Sequence, residues 1–367
     1  MSATELKRVL KLPAVAFIAI GFTIGGGVFV FTGLVFNIAG PALPIAYALA
    51  VVPVFISMLP IAMLGSAIPT TGANYKYPSR MVSPGLAFVG IWVYAVASFV
   101  GQIPLYALGC ANYVQVCLPD ISVPLVAVGI LTLIFIVNLL GVKLAAQIQG
   151  VCVIILLAAL IYYCMSGIAA INPQNFSNMF ARGLPNLFLG TALLTFTYVG
   201  PVYRGTKSLL MIVQDRLLPE WLGRLNPRFG TPHILLSTIW ILSVAGVVSG
   251  FSLETLASYA TLGVLIIFIP IQVAALRLPT LYPDRYRQSD FKLKGFWLWA
   301  CPLVGILMVV FFSVIILVDL GSPLKIGSFF VFILSGAVYY GLRKRYLGPS
   351  GLKPGNLLKH ESTWDNR

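Results

Sequence analysis

The chain has 367 residues, of which 59% are hydrophobic and only 9% are charged. A soluble domain carries roughly 25% charged residues, so this composition excludes an ordinary soluble protein and favours one that spans a lipid bilayer. The formal net charge of +14 raises nucleic acid as an alternative partner. A nucleic-acid-binding protein gathers its basic residues on one face or groove, whereas here they lie between apolar runs. We interpret the charge as the orientation signal of membrane loops, with no nucleic-acid partner.

Apolar segments long enough to cross a bilayer follow one another along the chain, joined mostly by short loops. The predicted spans are Leu12–Phe36, Pro41–Leu64, Pro84–Val116, Val123–Leu140, Ala145–Cys164, Leu184–Gly200, His233–Gly250, Leu253–Leu276, Phe296–Val318 and Ile326–Tyr340. No soluble domain fits between them. The sequence therefore predicts an all-α polytopic membrane protein, a single transmembrane domain with about ten transmembrane helices.

The basic residues predict the orientation of these spans. With the N-terminus inside, 20 of the 24 Lys and Arg residues lie in cytoplasmic loops and tails. Arg182 and Lys325 fall outside, and Arg204 and Lys207 are ambiguous. The opposite orientation reverses this distribution, which the positive-inside rule disfavours. We therefore predict a cytoplasmic N-terminus at 1–11 and a cytoplasmic tail at 342–367.

Catalytic chemistry has no candidate in this sequence. The five cysteines lie in or beside apolar segments, none forms a C-x-x-C pair, and no His cluster accompanies them. An acid-rich metal motif or a nucleophile constellation is also not visible. We predict no metal site, no cofactor and no catalytic residue, and hence not an enzyme.

The first predicted span contains three consecutive glycines, Gly25–Gly27, near its middle. A glycine costs about 1 kcal/mol in a helix interior, and a helix that unwinds at mid-membrane exposes N–H groups that need a partner. A substrate carboxylate at the positive end of the following half-helix is one such partner. Close helix packing is the alternative, because Gly21 and Gly25 form a G-x-x-x-G pair. The residue pattern alone leaves both interpretations open.

The sixth predicted span ends at a helix breaker, Gly200-Pro201. Leu184 and Phe196 are separated by about 12 residues, or roughly 18 Å of helix, which places the break below the midplane. Freed carbonyls there could accept hydrogen bonds from an ammonium group. An ordinary helix end at the cytoplasmic face is the alternative. Two interrupted spans, the first and the sixth, are together typical of an inverted-repeat transporter.

Four motifs in this chain form a recognisable set. They are Ile24–Phe29 (IGGGVF), Ile68–Tyr75 (IPTTGANY) followed by Pro84-Gly85, Phe196–Gly200 (FTYVG), and Asp215–Glu220 followed by Asn226–Pro232. Together they resemble the amino acid–polyamine–organocation transporter superfamily, and the resemblance covers most of the chain.

This resemblance implies a LeuT-like inverted-repeat fold and an amino acid permease of the cell (inner) membrane, whose partners are an amino acid substrate and the lipid bilayer. It implies a substrate carboxylate on backbone N–H groups near Gly25–Gly27 and an amino group on carbonyls near Phe196–Gly200. The implied substrate-binding residues are Thr23, Ile24, Gly25, Gly26, Gly27, Phe196, Thr197, Tyr198 and Gly200. The oligomeric state stays unknown.

The chain departs from the family pattern after Gly200. The next motif, Gly205–Met211, resembles the cytoplasmic end of helix eight, so helix seven, the second half of helix six and most of helix eight are expected to be missing. We expect the first repeat with the first half of helix six at 12–200, a cytoplasmic or re-entrant connection at 201–232, and the remaining helices at 233–341. The second repeat is then incomplete.

Ionisable residues within the spans indicate the charge of the substrate and whether transport is coupled to protons. Relatives often carry a lysine in helix five where Ile155 aligns here, and no Asp, Glu or Lys lies deep in a span. Proton coupling therefore has no candidate, and a neutral zwitterion fits better than a polyamine. The leading hypothesis is an amino acid permease for such a substrate. A transport-incompetent paralogue or membrane scaffold is the second hypothesis, favoured by the missing helices.

Overall fold

The computed structural model describes residues 27–347 except 71, 169–170, 177, 199–208, 210 and 214, together with Phe17, Ile20, Gly21, Ile24 and Gly25. These residues form helices joined by short connections, and no strand occurs among them. The α-helices are α1 (Thr32–Ala39), α2 (Leu43–Ala67), α3 (Ala73–Met81), α4 (Pro84–Val96), α5 (Ile103–Cys117), α6 (Val123–Leu139), α7 (Val142–Ile168), α8 (Gly183–Tyr198), α9 (His233–Val248), α10 (Leu253–Leu281), α11 (Pro283–Gln288), α12 (Phe296–Leu320) and α13 (Pro323–Leu347).

In the described part of the chain, six helical runs are long and apolar enough to cross a membrane. They are Gly27–Ala67, Pro84–Cys117, Leu144–Ile168, Leu253–Leu281, Phe296–Leu320 and Pro323–Tyr346. Two shorter apolar helices, Val123–Leu139 and His233–Val248, accompany them. The prediction of an all-α polytopic membrane protein is confirmed, whereas the inverted repeat and the division of the chain stay predictions.

Helix α10 is the central element of the bundle. It packs against α2, α4, α8 and α12, and 78% of its most apolar window is buried. By contrast, the corresponding window of α7 is only 6% buried, and α7 packs mainly on α6. A helix that is apolar and exposed over most of its surface is stable only when lipid covers that surface. Helix α7 therefore lies at the periphery of the bundle, facing the bilayer.

Helix α10 packs closely on its neighbours at glycines, which have no side chain to separate the helices. On α10, a Cβ at Gly263 would lie 2.2 Å from the Ala97 Cβ, and on α12 a Cβ at Gly305 would lie 3.0 Å from the Ser57 Oγ. The buried Gln272 of α10 donates from Nε2 to the Ser57 carbonyl of α2 over 2.8 Å. Small residues and interhelical hydrogen bonds are how membrane helices associate, since lipid offers no hydrophobic driving force between them.

The third predicted span is a single helical run, 84–117, but its middle is not α-helical. Residues Ala97–Gln102 form a π-helical segment between α4 and α5 that packs against α10. A Cβ at Gly101 would lie 3.1 Å from the Leu256 carbonyl oxygen. A π turn carries an extra residue and widens the helix, which changes the direction in which α5 presents its side chains.

Helix α3 lies in the connection after α2 and is held by a buried ion pair. Arg80 donates from Nη1 and Nη2 to the two carboxylate oxygens of Asp215 over 2.8 and 2.9 Å. The Tyr75 hydroxyl donates to Asp215 Oδ2 over 2.7 Å, and Arg277 of α10 donates to the Met81 carbonyl over 3.0 Å. A bidentate Arg–carboxylate pair fixes orientation as well as distance. It therefore joins α3 to a loop 135 residues further along the chain.

Replacing Asp215 by Asn tests how much this pair contributes. Asp215→Asn keeps the size but leaves the Arg80 guanidinium, 5% exposed, without a counter-charge. Removal of one partner of a buried pair costs about 3–5 kcal/mol, so we expect a markedly lower unfolding temperature in detergent.

The matched control is Glu220→Gln in the exposed Arg216–Glu220 pair at 3.6 Å, where the side chains are 56% and 72% exposed. We expect it to change stability by less than about 1 kcal/mol. Equal unfolding temperatures for Asp215→Asn, Glu220→Gln and the unaltered chain would contradict a stabilising role for the buried pair.

Candidate functional site

The described part of the glycine stretch is helical on both sides of Gly26. Ile24 and Gly25 are α-helical, and a π turn at Gly27–Phe31 continues into α1. The expected unwinding is therefore not seen in these residues, where the irregularity is a widened helical turn. Thr23 and Gly26 lie outside the described residues. π turns inside membrane helices disturb the regular hydrogen-bond ladder and occur often at functional sites.

Side chains contact two carbonyls of this π turn. The Thr32 hydroxyl donates to the Val28 carbonyl, and the Tyr113 hydroxyl donates to the Phe29 carbonyl over 3.3 Å. In the bilayer an irregular backbone group must find such a partner within the protein. The two hydroxyls therefore stabilise the π turn against α5 and α1.

The glycines of the first span have different surroundings. A Cβ at Gly21 would lie 2.5 Å from Val153 Cγ2 of α7, so packing explains the absence of a side chain there. A Cβ at Gly25 would meet nothing within 4 Å. The G-x-x-x-G packing interpretation therefore accounts for Gly21 but not for Gly25.

Gly27 lies between the end of α8 and the first turn of α5. A Cβ placed on it would be 3.6 Å from Thr197 Cγ2, 3.7 Å from Thr197 Cα and 3.6 Å from the Tyr106 hydroxyl. An alanine would thus make ordinary van der Waals contact there, whereas a larger side chain would have to displace one of these groups. The structure brings Gly27 and Thr197, two of the predicted site residues, into direct apposition.

The last turn of α8 carries three predicted site residues that face different neighbours. Phe196 stacks on Phe31 at the end of the π turn, with ring centroids 5.2 Å apart and planes at 14°. Thr197 donates its hydroxyl to the Leu194 carbonyl within the same helix over 2.7 Å and turns its methyl group toward Gly27. Helix α8 ends at Tyr198, and Gly200 lies outside the described residues.

The third of these residues, Tyr198, points to α2. Its ring is edge-on to Tyr47 at 6.2 Å, and its hydroxyl donates to the Tyr47 carbonyl over 3.4 Å. The Tyr47 hydroxyl is in turn 2.5 Å from Thr32 Oγ1. Tyr198 therefore links α8 to α2 and α1, rather than facing Gly27 as Thr197 does.

Tyr106 belongs to this junction although the predicted site did not include it. Tyr106 and Gln102 are polar residues on an otherwise apolar helix, and their side chains are hydrogen-bonded to each other. Their spacing of four residues puts both on one face of the helix. The spacing predicts that the two side chains share a face of the helix, but it does not predict that Tyr106 lies beside Gly27.

The junction of the π turn with α8 and α5 carries no charged side chain among the residues named above. Backbone, hydroxyl and aromatic groups form it. Among the described residues no group of three or more His, Cys, Asp or Glu side chains could hold a metal ion. An arrangement of this kind can bind a small polar molecule through peptide groups and hydroxyls, and it favours a ligand whose charges balance.

This membrane bundle, with a polar junction at an irregular first helix, matches one class of transporters. Amino acid permease family models match residues 14–200 and residues 202–341. The chain belongs to the amino acid permease family. That family is one of transporters rather than enzymes, which agrees with the sequence-based expectation.

Relatives of known name include three from Bacillus subtilis (strain 168). The methylthioribose transporter is 28% identical over 53% of this chain and 46% of its own length, and the gamma-aminobutyric acid permease is 26% identical over 54% and 45%. The branched-chain amino acid permease is 21% identical over 93% of this chain and 94% of its own length. The chain thus spans about half the length of the first two relatives in these matches.

Many positions of the alignment with the branched-chain amino acid permease have no counterpart in this chain. The alignment extends over 451 positions yet covers 93% of a 367-residue chain, so about 110 of its positions have no residue from this chain. The two family-model matches meet between residues 200 and 202. The unmatched positions agree with the expectation of a shortened permease, whereas the absence of helices after Gly200 stays a prediction.

The stacking of Phe31 on Phe196 predicts an energetic coupling between the π turn and α8. Aromatic pairs of this geometry contribute about 0.5–1.5 kcal/mol beyond their buried area. We expect a double-mutant cycle with Phe31→Leu and Phe196→Leu, followed by thermal unfolding in detergent, to give a coupling energy in that range. A cycle pairing Phe31→Leu with Phe296→Leu, at a 76% exposed position, should be additive. Additivity in both cycles would contradict the stacking contribution.

Proposed function

We propose that this protein transports a neutral, zwitterionic amino acid across the cell (inner) membrane, with both termini cytoplasmic. The observation that carries the proposal is the apposition of Gly27 to Thr197, which juxtaposes an irregular turn of the first helix and the end of α8. Membership in the amino acid permease family supports the same class of substrate. The 20-to-2 distribution of basic residues supports the orientation.

The proposed site binds the two charged ends of the substrate with peptide groups. The carboxylate is bound by backbone N–H groups around Gly25–Gly27, where the following half-helix presents its positive end. The ammonium group is bound by carbonyls at the end of α8, because the last four carbonyls of a helix have no partner within it. The proposed substrate-binding residues Thr23, Gly26 and Gly200 lie outside the described residues and remain part of this proposal.

Neighbouring side chains in this proposal select the substrate. Ile24 lies beside the glycines, Phe196 and Thr197 form the wall on α8, and Tyr198 positions that wall against α2. Tyr106 is added as a further lining residue, since its hydroxyl lies 3.6 Å from a Cβ position on Gly27.

Charge balance favours a neutral substrate. The junction carries no charged side chain among its described residues, and a net charge buried there without a partner would cost several kcal/mol. Relatives are named for gamma-aminobutyric acid, for branched-chain amino acids and for lysine, so the preference for a neutral substrate rests on the uncharged junction and not on these names. Another is named for methylthioribose, so the scaffold is compatible with more than one substrate class.

A second candidate function is a membrane scaffold or partner protein that has lost transport. The observation that favours it is that about 110 positions of the alignment with the branched-chain amino acid permease have no residue from this chain. The exposure of α7, whose apolar window is 6% buried, agrees with missing neighbours but is equally expected of a lipid-facing helix.

Uptake into proteoliposomes distinguishes the two functions. We expect saturable uptake of at least one neutral amino acid from a labelled panel that also contains lysine and glutamate. Gly27→Val should abolish it, because its branched side chain would overlap Thr197 and the Tyr106 hydroxyl, whereas Gly27→Ala should be milder.

The control for this experiment is Gly33→Ala in the same helical run, where a Cβ would meet nothing within 4 Å. Uptake by this variant should match that of the unaltered chain. The transport proposal is wrong if no amino acid is taken up or bound. The site proposal is wrong if Gly27→Val transports normally.

A further inference from the structure

Helix α3 holds a basic cluster that the transport site does not use. Lys76 and Arg80 are one helical turn apart on α3, so their side chains lie on the same face. They are only 3% and 4% exposed. Long basic side chains are almost never fully buried unless they have a partner of opposite charge.

Asp215 is the carboxylate beside this cluster, and it accepts hydrogen bonds from Arg80 and Tyr75 but not from Lys76. Asp215 Oδ1 accepts from Arg80 Nη2, while Oδ2 accepts from Arg80 Nη1 and from the Tyr75 hydroxyl. Lys76 Nζ and Arg80 Nε have no hydrogen-bond partner in the part of the chain that the structure describes. The cluster therefore has two cations, one anion and two unused donors.

Burying Lys76 Nζ and Arg80 Nε without hydrogen-bond acceptors destabilises the folded state. Burial lowers the pKa of Lys76, and the neighbouring Arg80 charge lowers it further, while Asp215 opposes the shift. Lysine can relieve its burial by losing a proton, but the arginine guanidinium cannot. Arg80 Nε thus keeps an unmet demand for an acceptor even if Lys76 is neutral. An anion between the two side chains would satisfy both groups at once.

The surroundings of the cluster are also basic. Arg277 lies at the C-terminal end of α3, where it donates to the Met81 carbonyl, and Arg343 donates to the Arg216 carbonyl next to Asp215 over 3.0 Å. Glu220 is the acidic neighbour of Arg216, in a loose exposed pair at 3.6 Å. This end of the bundle, predicted to face the cytoplasm, carries the positive potential that attracts anions and anionic lipids.

We infer that Lys76 and Arg80 form a binding site for a phosphate-type oxyanion, whose oxygens accept hydrogen bonds from Lys76 Nζ and Arg80 Nε. A phosphate group offers several acceptor oxygens, and both lysine and arginine bind it well. The phosphate can come from an anionic lipid headgroup or from free inorganic phosphate. Its binding stabilises α3 against the loop that contains Asp215. This site is independent of the proposed transport activity.

Thermal unfolding of the purified full-length chain in detergent tests the site. One series adds inorganic phosphate in place of chloride at constant ionic strength, and another adds short-chain phosphatidylglycerol in place of phosphatidylcholine. We expect at least one of the two to raise the unfolding temperature in a saturable way, since a ligand that binds only the folded state stabilises it. A response to the lipid alone assigns the headgroup as the source, and a response to phosphate assigns the free anion.

Substitution of Lys76 tests whether this residue is responsible for the rise in unfolding temperature. Lys76→Met should weaken the response about tenfold or more, because it removes a charge-assisted hydrogen bond. Without ligand the same variant should be at least as stable as the unaltered chain, since it removes a buried unpaired charge. Lys294→Met, at an exposed lysine, is the matched control and should keep the full response.

The site is absent if neither phosphate nor phosphatidylglycerol raises the unfolding temperature, or if Lys76→Met responds as Lys294→Met does. Should Lys76→Met fail to fold, Lys76→Arg, which retains the charge, is compared with the unaltered chain by native mass spectrometry. A retained phosphate or phosphatidylglycerol adduct in both supports the site. Absence of an adduct from the unaltered chain overturns it.

Discussion

The contact of Gly27 with Thr197 joins the irregular first helix to the end of α8. A Cβ on residue 27 would make ordinary van der Waals contact with Thr197 and with the Tyr106 hydroxyl, so the two helices approach closely enough here to leave no room for a side chain larger than alanine. Phe31 and Phe196 stack beside this contact. In a bilayer an irregular backbone must be satisfied within the protein, and the proposed substrate site consists of peptide groups at this contact.

The bundle contains two polar clusters of different charge, the junction at Gly27 and the basic cluster on α3. The junction at Gly27 is uncharged in its described residues, which suits a zwitterion, whereas the cluster on α3 carries a buried excess of positive charge. The Arg80–Asp215 pair joins α3 to the region after the family-model boundary at residues 200–202. The pair therefore links the two regions of the chain that the family models match.

Sequence alone predicted the helices well and their irregularities poorly. The span predicted at Val123–Leu140 is the helix Val123–Leu139, because long apolar runs bounded by turn residues leave little choice. The π segment at Ala97–Gln102 has no periodicity of its own and depends on packing against α10, so it was not predictable. The burial of Lys76 and Arg80 was also missed, since both were assigned to a cytoplasmic loop. The site residues Gly27 and Thr197 came from resemblance, while Tyr106 required the three-dimensional structure.

Cysteine cross-linking measures the central contact directly. In a background without the five native cysteines, Gly27→Cys with Thr197→Cys places the two Cβ atoms close to the separation of about 3.8 Å that a disulfide requires. We expect mild oxidation in membranes to consume both thiols rapidly. The pair Gly33→Cys with Thr197→Cys should stay reduced, because a Cβ at Gly33 meets nothing within 4 Å. If the first pair keeps its free thiols as long as the second, the first helix and α8 do not meet at Gly27, and the proposed site is lost.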